Sequence, residues 1–136
     1  MSDFNFRWCL TEADYTIVCD MMTGWKMNPL HRRMLSEYGV IISKDGHDVC
    51  SGWLYQSDSK LACIEWVVMN KKAPKYTREG ALDFLYETLF RKAKELDYEV
   101  VMSLAHTELF ENTLENKNFK KANFTYTSIL YKNLWV

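Results

Sequence analysis

Residues 61–104 read LACIEWVVMNKKAPKYTREGALDFLYETLFRKAKELDYEVVMSL, and this stretch decides the fold. Leu61 to Met69 is apolar except for Glu65 and rich in β-branched and aromatic residues, the pattern of a strand covered on both faces. Asn70 to Tyr76 is polar and basic and reads as a loop. Beyond it Ala81, Leu82, Leu85, Tyr86, Leu89, Phe90, Ala93 and Leu96 recur at helical spacing, with Thr77 as the expected N-cap. Tyr98 to Leu104 turns strand-like again. Two strands separated by a helix of this length pair in parallel through a right-handed crossover, which makes a β-α-β unit.

Working outward, three antiparallel strands lead into that unit. Val40 to Ser43 and Val49 to Gln56 flank Lys44-Asp45-Gly46-His47, whose Asp-Gly step signals a hairpin, and a turn at Ser57-Asp58-Ser59-Lys60 joins the second of them to Leu61. That turn sets Cys63 opposite Leu54 and away from Cys50, so a cross-strand disulfide is disfavoured. At the start, Phe4 to Leu10 alternates as a strand, and Thr11 with Asp14 opens a helix from about Glu12 to Met22 that Gly24 stops. Asn28 and Pro29 then open a second helix through His31, Met34 and Leu35 to about Tyr38, with Gly39 as its left-handed exit. A short helix over Glu108 to Lys117 and a strand over Phe124 to Leu134 close the chain. The resulting order, β-α-α-β-β-β-α-β-α-β, is an α/β mixed sheet flanked by helices.

Composition bounds the function. A chain of 136 residues, 48% hydrophobic and 15% aromatic, suits one domain spanning 1–136 with one core. Seventeen basic residues against eighteen acidic ones supply no overall positive field for nucleic acid or an anionic membrane. The longest wholly apolar run is four residues, far short of the roughly 20 that span a bilayer, and Met1-Ser2-Asp3-Phe4-Asn5 lacks the basic and apolar regions of a signal peptide. The expected location is the cytoplasm. Cys9, Cys19, Cys50 and Cys63 stand singly, without metal-ligand spacing, so no structural metal is expected, and Cys50 and Cys63, in apolar strand-like runs, read as reduced, buried core residues.

The element order, together with Ile64-Glu65-Trp66-Val67-Val68-Met69 and Leu114-Glu115-Asn116-Lys117-Asn118-Phe119, resembles the GCN5-related N-acetyltransferase (GNAT) family over nearly the whole chain. The first run looks like the family's fourth strand. The second is similar to the end of its fourth helix, usually Tyr-x-x-x-Gly-Phe. The family's acetyl-CoA signature, Gln or Arg, two residues, Gly, one residue, then Gly or Ala, falls on Thr77-Arg78-Glu79-Gly80-Ala81-Leu82. Gly80 matches; Thr77 and Leu82 depart from it.

The resemblance implies an acyl-CoA-dependent N-acyltransferase that moves an acetyl group from acetyl-CoA, as co-substrate and without a metal, to a small-molecule or peptide amine. A pyrophosphate is held by unpaired N–H groups at a helix N-terminus, which assigns Arg78, Glu79, Gly80, Ala81 and Leu82 to the cofactor, with strand residues Val67, Val68 and Met69 along its acyl end. Lys71, Lys72, Lys75 and Arg78 add positive charge, although such a loop also serves simply to cap a helix. Glu65, the one residue of Leu61 to Met69 charged at neutral pH, is the candidate base, and a solvent-facing strand position explains it equally well. Trp25 and His31 lie where relatives bind the acceptor, and His106 follows the fifth strand; a core or lid aromatic and ordinary loop histidines are the alternatives. Leu114 stands where the family carries its acid tyrosine and donates no proton. A catalytically degenerate GNAT-fold binding module is therefore the second function class, and the reading leaves a homo-oligomer open.

Overall fold

The computed structural model describes residues 3–103 and 108–120. Among these the elements are β1 (Phe4–Trp8), α1 (Glu12–Gly24), β2 (Tyr38–Lys44), β3 (His47–Tyr55), β4 (Leu61–Met69), α2 (Lys75–Arg78), α3 (Ala81–Glu95), β5 (Val100–Ser103) and α4 (Glu108–Glu115). The strands form one mixed sheet in the order β1-β2-β3-β4-β5. The first three pairings are antiparallel and β4–β5 is parallel, as a helical crossover through α3 demands. This is a GNAT-like α/β fold. Leu104, His106 and the strand expected over Phe124 to Leu134 lie outside the described residues.

Strand alternation sends side chains to two cores. On one face Val40, Ile42, Leu54, Ala62 and Ile64 meet the apolar stripe of α3, including Ala81, Leu85, Tyr86 and Leu89. On the other, Ile41, Trp53 and Val68 meet Val18, Met21 and Met22 of α1. Thr11 starts α1 as expected, its Oγ1 accepting the Asp14 N–H at 3.1 Å. The β2–β3 hairpin is equally faithful, because Asp45 (φ 51°) and Gly46 (φ 79°) adopt the two positive φ angles of a type I′ turn.

Four expectations fail, each for a tertiary reason. The second helix is a single 3-10 turn, Arg32–Met34, capped by His31, and the chain is extended again at Leu35 (ψ 139°). Ser36 donates to Leu54 O at 2.6 Å and accepts from the Tyr38 N–H, and Tyr38 then enters the sheet opposite Leu54. Sheet pairing outweighs the weak periodicity that suggested a helix. Gly39 accordingly sits inside β2; a Cβ there would lie 2.2 Å from Nε1 of the buried Trp53 ring, so the glycine clears space for an indole.

Thr77 does not cap the long helix. Its hydroxyl donates to Pro74 O at 2.6 Å within α2, and Gly80, at φ 82°, is the N-cap of α3. The β3–β4 register also differs by one residue: Cys63 faces Tyr55 and Leu54 faces Ile64. The connection is five residues, Gln56 to Lys60, closed by Ser59 N–H to Ser57 Oγ and Leu61 N–H to Ser59 Oγ, both 3.1 Å. Finally, all four cysteines are free, but of the two expected in the core only Cys50 is buried; Cys63 is half-buried.

Candidate functional site

The site begins where β4 stops being regular. Its ladder to β5 runs from the Leu61–Val100 pair to the Ile64–Ser103 pair among the described residues. On its other edge Glu65 faces Trp53 and Val68 faces Ser51, so Trp66 and Val67 together oppose the single Gly52. This is a β-bulge, and Trp66 adopts φ 58°, a conformation that costs a bulky residue of order 1–3 kcal/mol. Gly52 permits it. A Cβ there would stand 3.2 Å from Val67 Cγ2 and 3.3 Å from Leu85 Cδ2.

The bulge re-aims the side chains. Glu65 shares the α1 face with its neighbour Trp53, and Trp66, instead of alternating away, packs against the α1-side core as well. Glu65 is half-buried there beside Tyr55 and Cys63. Burial pushes the Tyr55 phenol up to about 12; the Glu65 charge adds to the rise and a hydrogen bond with Trp66 offsets part of it. Burial and then Glu65 also raise the Cys63 thiol. Both groups hold their protons at neutral pH. Tyr55 donates to Met34 O at 2.7 Å and so ties the loop after α1 to the bulge.

Past Met69 the chain turns towards α3. Asn70 N–H continues the ladder to Val49 O at 2.7 Å, while the Asn70 side chain donates to Asp48 O and accepts from the Lys72 N–H. Arg78 laces the loop. Its guanidinium donates to Lys71 O at 2.6 Å and to Ala73 O at 3.1 and 2.8 Å. The first helical bond of α3 runs from Phe84 N–H to Gly80 O, so the N–H groups of Ala81, Leu82 and Asp83 point out of the helix end. Leu82 is 6% exposed and turned into the core, and the Phe4 ring packs beside Gly80, 3.5 Å from where a Cβ would stand. Lys71, Lys72, Lys75 and Glu79 of this segment are exposed.

Trp25 belongs to this end of the molecule. Its indole N–H donates to Met69 O at 2.6 Å and the Lys71 ammonium stands 4.2 Å above the ring, so Trp25, Met69 and the basic loop are brought together. His31 is placed differently, capping the 3-10 turn with Nδ1 accepting the Arg33 N–H at 3.1 Å. Leu114 is buried against the α3 side, as an apolar residue should be, and Asn118 takes the left-handed conformation at φ 68°. Tyr55 joins the candidate site unheralded, because its place beside Glu65 depends on strand register that local sequence does not encode.

Among the described residues no group of three or more His, Cys, Asp or Glu is placed to hold a metal ion, and no helix is long and apolar enough to cross a membrane. No family model matches the sequence, and no curated protein matches it. Solved structures do match in shape. The Escherichia coli ribosomal-protein-S18-alanine N-acetyltransferase superposes with a TM-score of 0.68 at 14% identity, covering 88% of this chain and 79% of its own. N-acetylglutamate synthase from Neisseria gonorrhoeae, complexed with coenzyme A and N-acetyl-glutamate, gives 0.69 at 14% identity over 85% of this chain and 28% of its own. A GNAT-family acetyltransferase from Streptococcus pneumoniae gives 0.65 at 11% identity over 96% and 98%. At these identities the likeness establishes the GNAT fold.

Proposed function

We propose that the chain is an acyl-CoA-dependent N-acyltransferase that moves an acetyl group from acetyl-CoA to a small-molecule or peptide amine. The observation that carries this reading is the placing of Glu65 on the α1 face at the last residue of β4 before the bulge, beside Tyr55 and Cys63. A carboxylate there takes the proton that an attacking amine must lose. The backbone of Val67, Val68 and Met69 runs along the acyl end of the co-substrate, where an N–H group holds the charge developing on the acyl oxygen. Residues 78–82 receive the pyrophosphate, with Arg78 keeping the loop in shape and the lysines supplying charge. Trp25 and His31 border the acceptor.

Leu114 favours a second reading, a binding module that has kept the fold without the chemistry, since it fills the tyrosine position with a buried apolar side chain. Calorimetric titration with acetyl-CoA and with CoA, followed by turnover on a panel of amines, separates the two. Binding at micromolar ligand with amine-dependent release of CoA thiol is the expected result. Binding without turnover selects the module, and no binding at millimolar ligand removes the acyl-CoA reading.

A further inference from the structure

The segment from Trp25 to Ser36 is hung along the α1 face of the sheet by its two ends. At one end the Trp25 indole donates to Met69 O at 2.6 Å; at the other Tyr55 donates to Met34 O at 2.7 Å and Ser36 to Leu54 O at 2.6 Å. Between them Leu30 is buried beside Trp53 and Val68, and Tyr15 of α1 donates to its carbonyl. Tyr55 faces Cys63, so this strap runs from the level of Met69 to that of Cys63 and passes the position of Glu65, which lies on the same face. It carries Lys26, Arg32 and Arg33, all exposed, and no acidic residue. The loop that it meets where Lys71 stands over Trp25 carries Lys71, Lys72, Lys75 and Arg78, again without an acid. Residues 25–36 and 70–78 thus hold seven of the chain's seventeen lysines and arginines and none of its eighteen aspartates and glutamates, although the whole chain is net negative. Two segments far apart in sequence are brought together as one positive rim.

We propose that the acceptor is an amine that itself carries a carboxylate, drawn in by the strap cations, and that polyamines and lysine-rich peptides are excluded. The proposal rests on the acyltransferase reading and names its substrate class. An amine arrives at neutral pH as an ammonium, so a positive rim opposes it unless the same molecule brings negative charge. The loop cations face a co-substrate that has phosphates of its own. Within the strap Arg32 is paired with Glu12, so Lys26, beside Trp25, is the cation assigned to the carboxylate, with the charge of Arg33 adding to the field. Glu65 meets the amine end and Lys26 the acidic end. Lys26 adjoins the residue bonded to Met69 O, four positions along β4 from Glu65 or at most about 13 Å, so a carboxylate several bonds from the amine suits the pair better than one on the same carbon.

The test is acceptor charge. Acetyl transfer from saturating acetyl-CoA is measured with L-glutamate against L-glutamine, with the peptide amide Ala-Glu-Glu against Ala-Gln-Gln, and with spermidine. The acidic member of at least one pair should show a kcat/KM roughly 10-fold or more above its neutral partner, and spermidine should be the poorest acceptor. Which pair shows the preference tells a free amino acid from a peptide terminus, and the preference should shrink as salt is raised to about 0.5 M. Lys26→Asp, a replacement that tolerates the positive φ of 60° at that position, and Arg33→Glu should each raise KM for the acidic acceptor roughly fivefold or more, with kcat and acetyl-CoA affinity little changed. Equal kcat/KM within both pairs, a preference for spermidine, or an unchanged KM in both variants overturns the anionic acceptor and leaves the acyltransferase standing. Wild-type protein that binds acetyl-CoA and acylates no amine overturns both.

Discussion

From Leu61 to Ile64, β4 runs parallel to β5, Cys63 and Ile64 also pair antiparallel with β3, and Ala62 and Ile64 are fully buried against α3. From Glu65 to Met69 the same strand breaks register, turns Trp66 to a positive φ, faces a glycine, and lends its last carbonyl to the Trp25 indole. The first half is built by alternation and packing. The second departs from alternation at the residues proposed for the chemistry, and its strain is held in place by the order of the first. Stability and function should accordingly separate along one strand.

Ile64→Ala is the sharpest way to break the regular half. The side chain is fully buried, so its loss should destabilise the protein by about 3 to 4 kcal/mol and lower the melting temperature by roughly 10 °C or more. Val67→Ala, at a half-buried position of the bulge, should cost about 1 kcal/mol. Equal losses in urea-unfolding midpoints would mean that the two halves are not energetically distinct.

Glu65→Gln addresses the other half. The amide keeps the shape and removes the basicity, so acyl transfer at neutral pH should fall by roughly 100-fold or more, about 2.7 kcal/mol of transition-state stabilisation. Melting should hardly move. Steady-state rates beside a thermal melt make the check, and unchanged turnover would pass the deprotonation to water or another group.

The same division explains what the sequence revealed. β4, the α3 stripe, Thr11 and the Asp45-Gly46 turn were legible because period-2 and period-3.6 patterns, caps and Asp-Gly turns are local properties. Gly39 misled because its reason is the Trp53 ring, fourteen positions away in sequence and adjacent in the sheet. Thr77 looked like a cap because a threonine ahead of an apolar stripe usually is one; Gly80, three residues later, holds the left-handed conformation that starts the helix. Glu65 could be singled out as the one charge on an apolar strand. Its neighbours could not, since Trp66 at φ 58° has no sequence signature and the Tyr55–Cys63 pairing hangs on a five-residue turn rather than a four-residue one.

The smallest expected effect tests whether the irregular half has a polar defect that packing tolerates. Ser51 faces Val68, the first residue after the bulge, and is 0% exposed, with its Oγ the one buried side-chain polar atom that lacks a hydrogen-bond partner among the described residues. It shares the α1 face with Ile41 and Val68. Leaving a hydroxyl unpaired in such a place costs about 1 to 3 kcal/mol, and removing it leaves a void smaller than a methyl group. Ser51→Ala should therefore stabilise the protein, by about 1 kcal/mol after the lost packing is counted, with a rise in melting temperature of roughly 3 to 5 °C. Acyl transfer should be unaffected, because the hydroxyl lies under α1 rather than among the site residues. A drop in stability would show that Ser51 is partnered after all, by a buried water held between β3 and α1, and that the bulged half of β4 is as fully satisfied as the regular one.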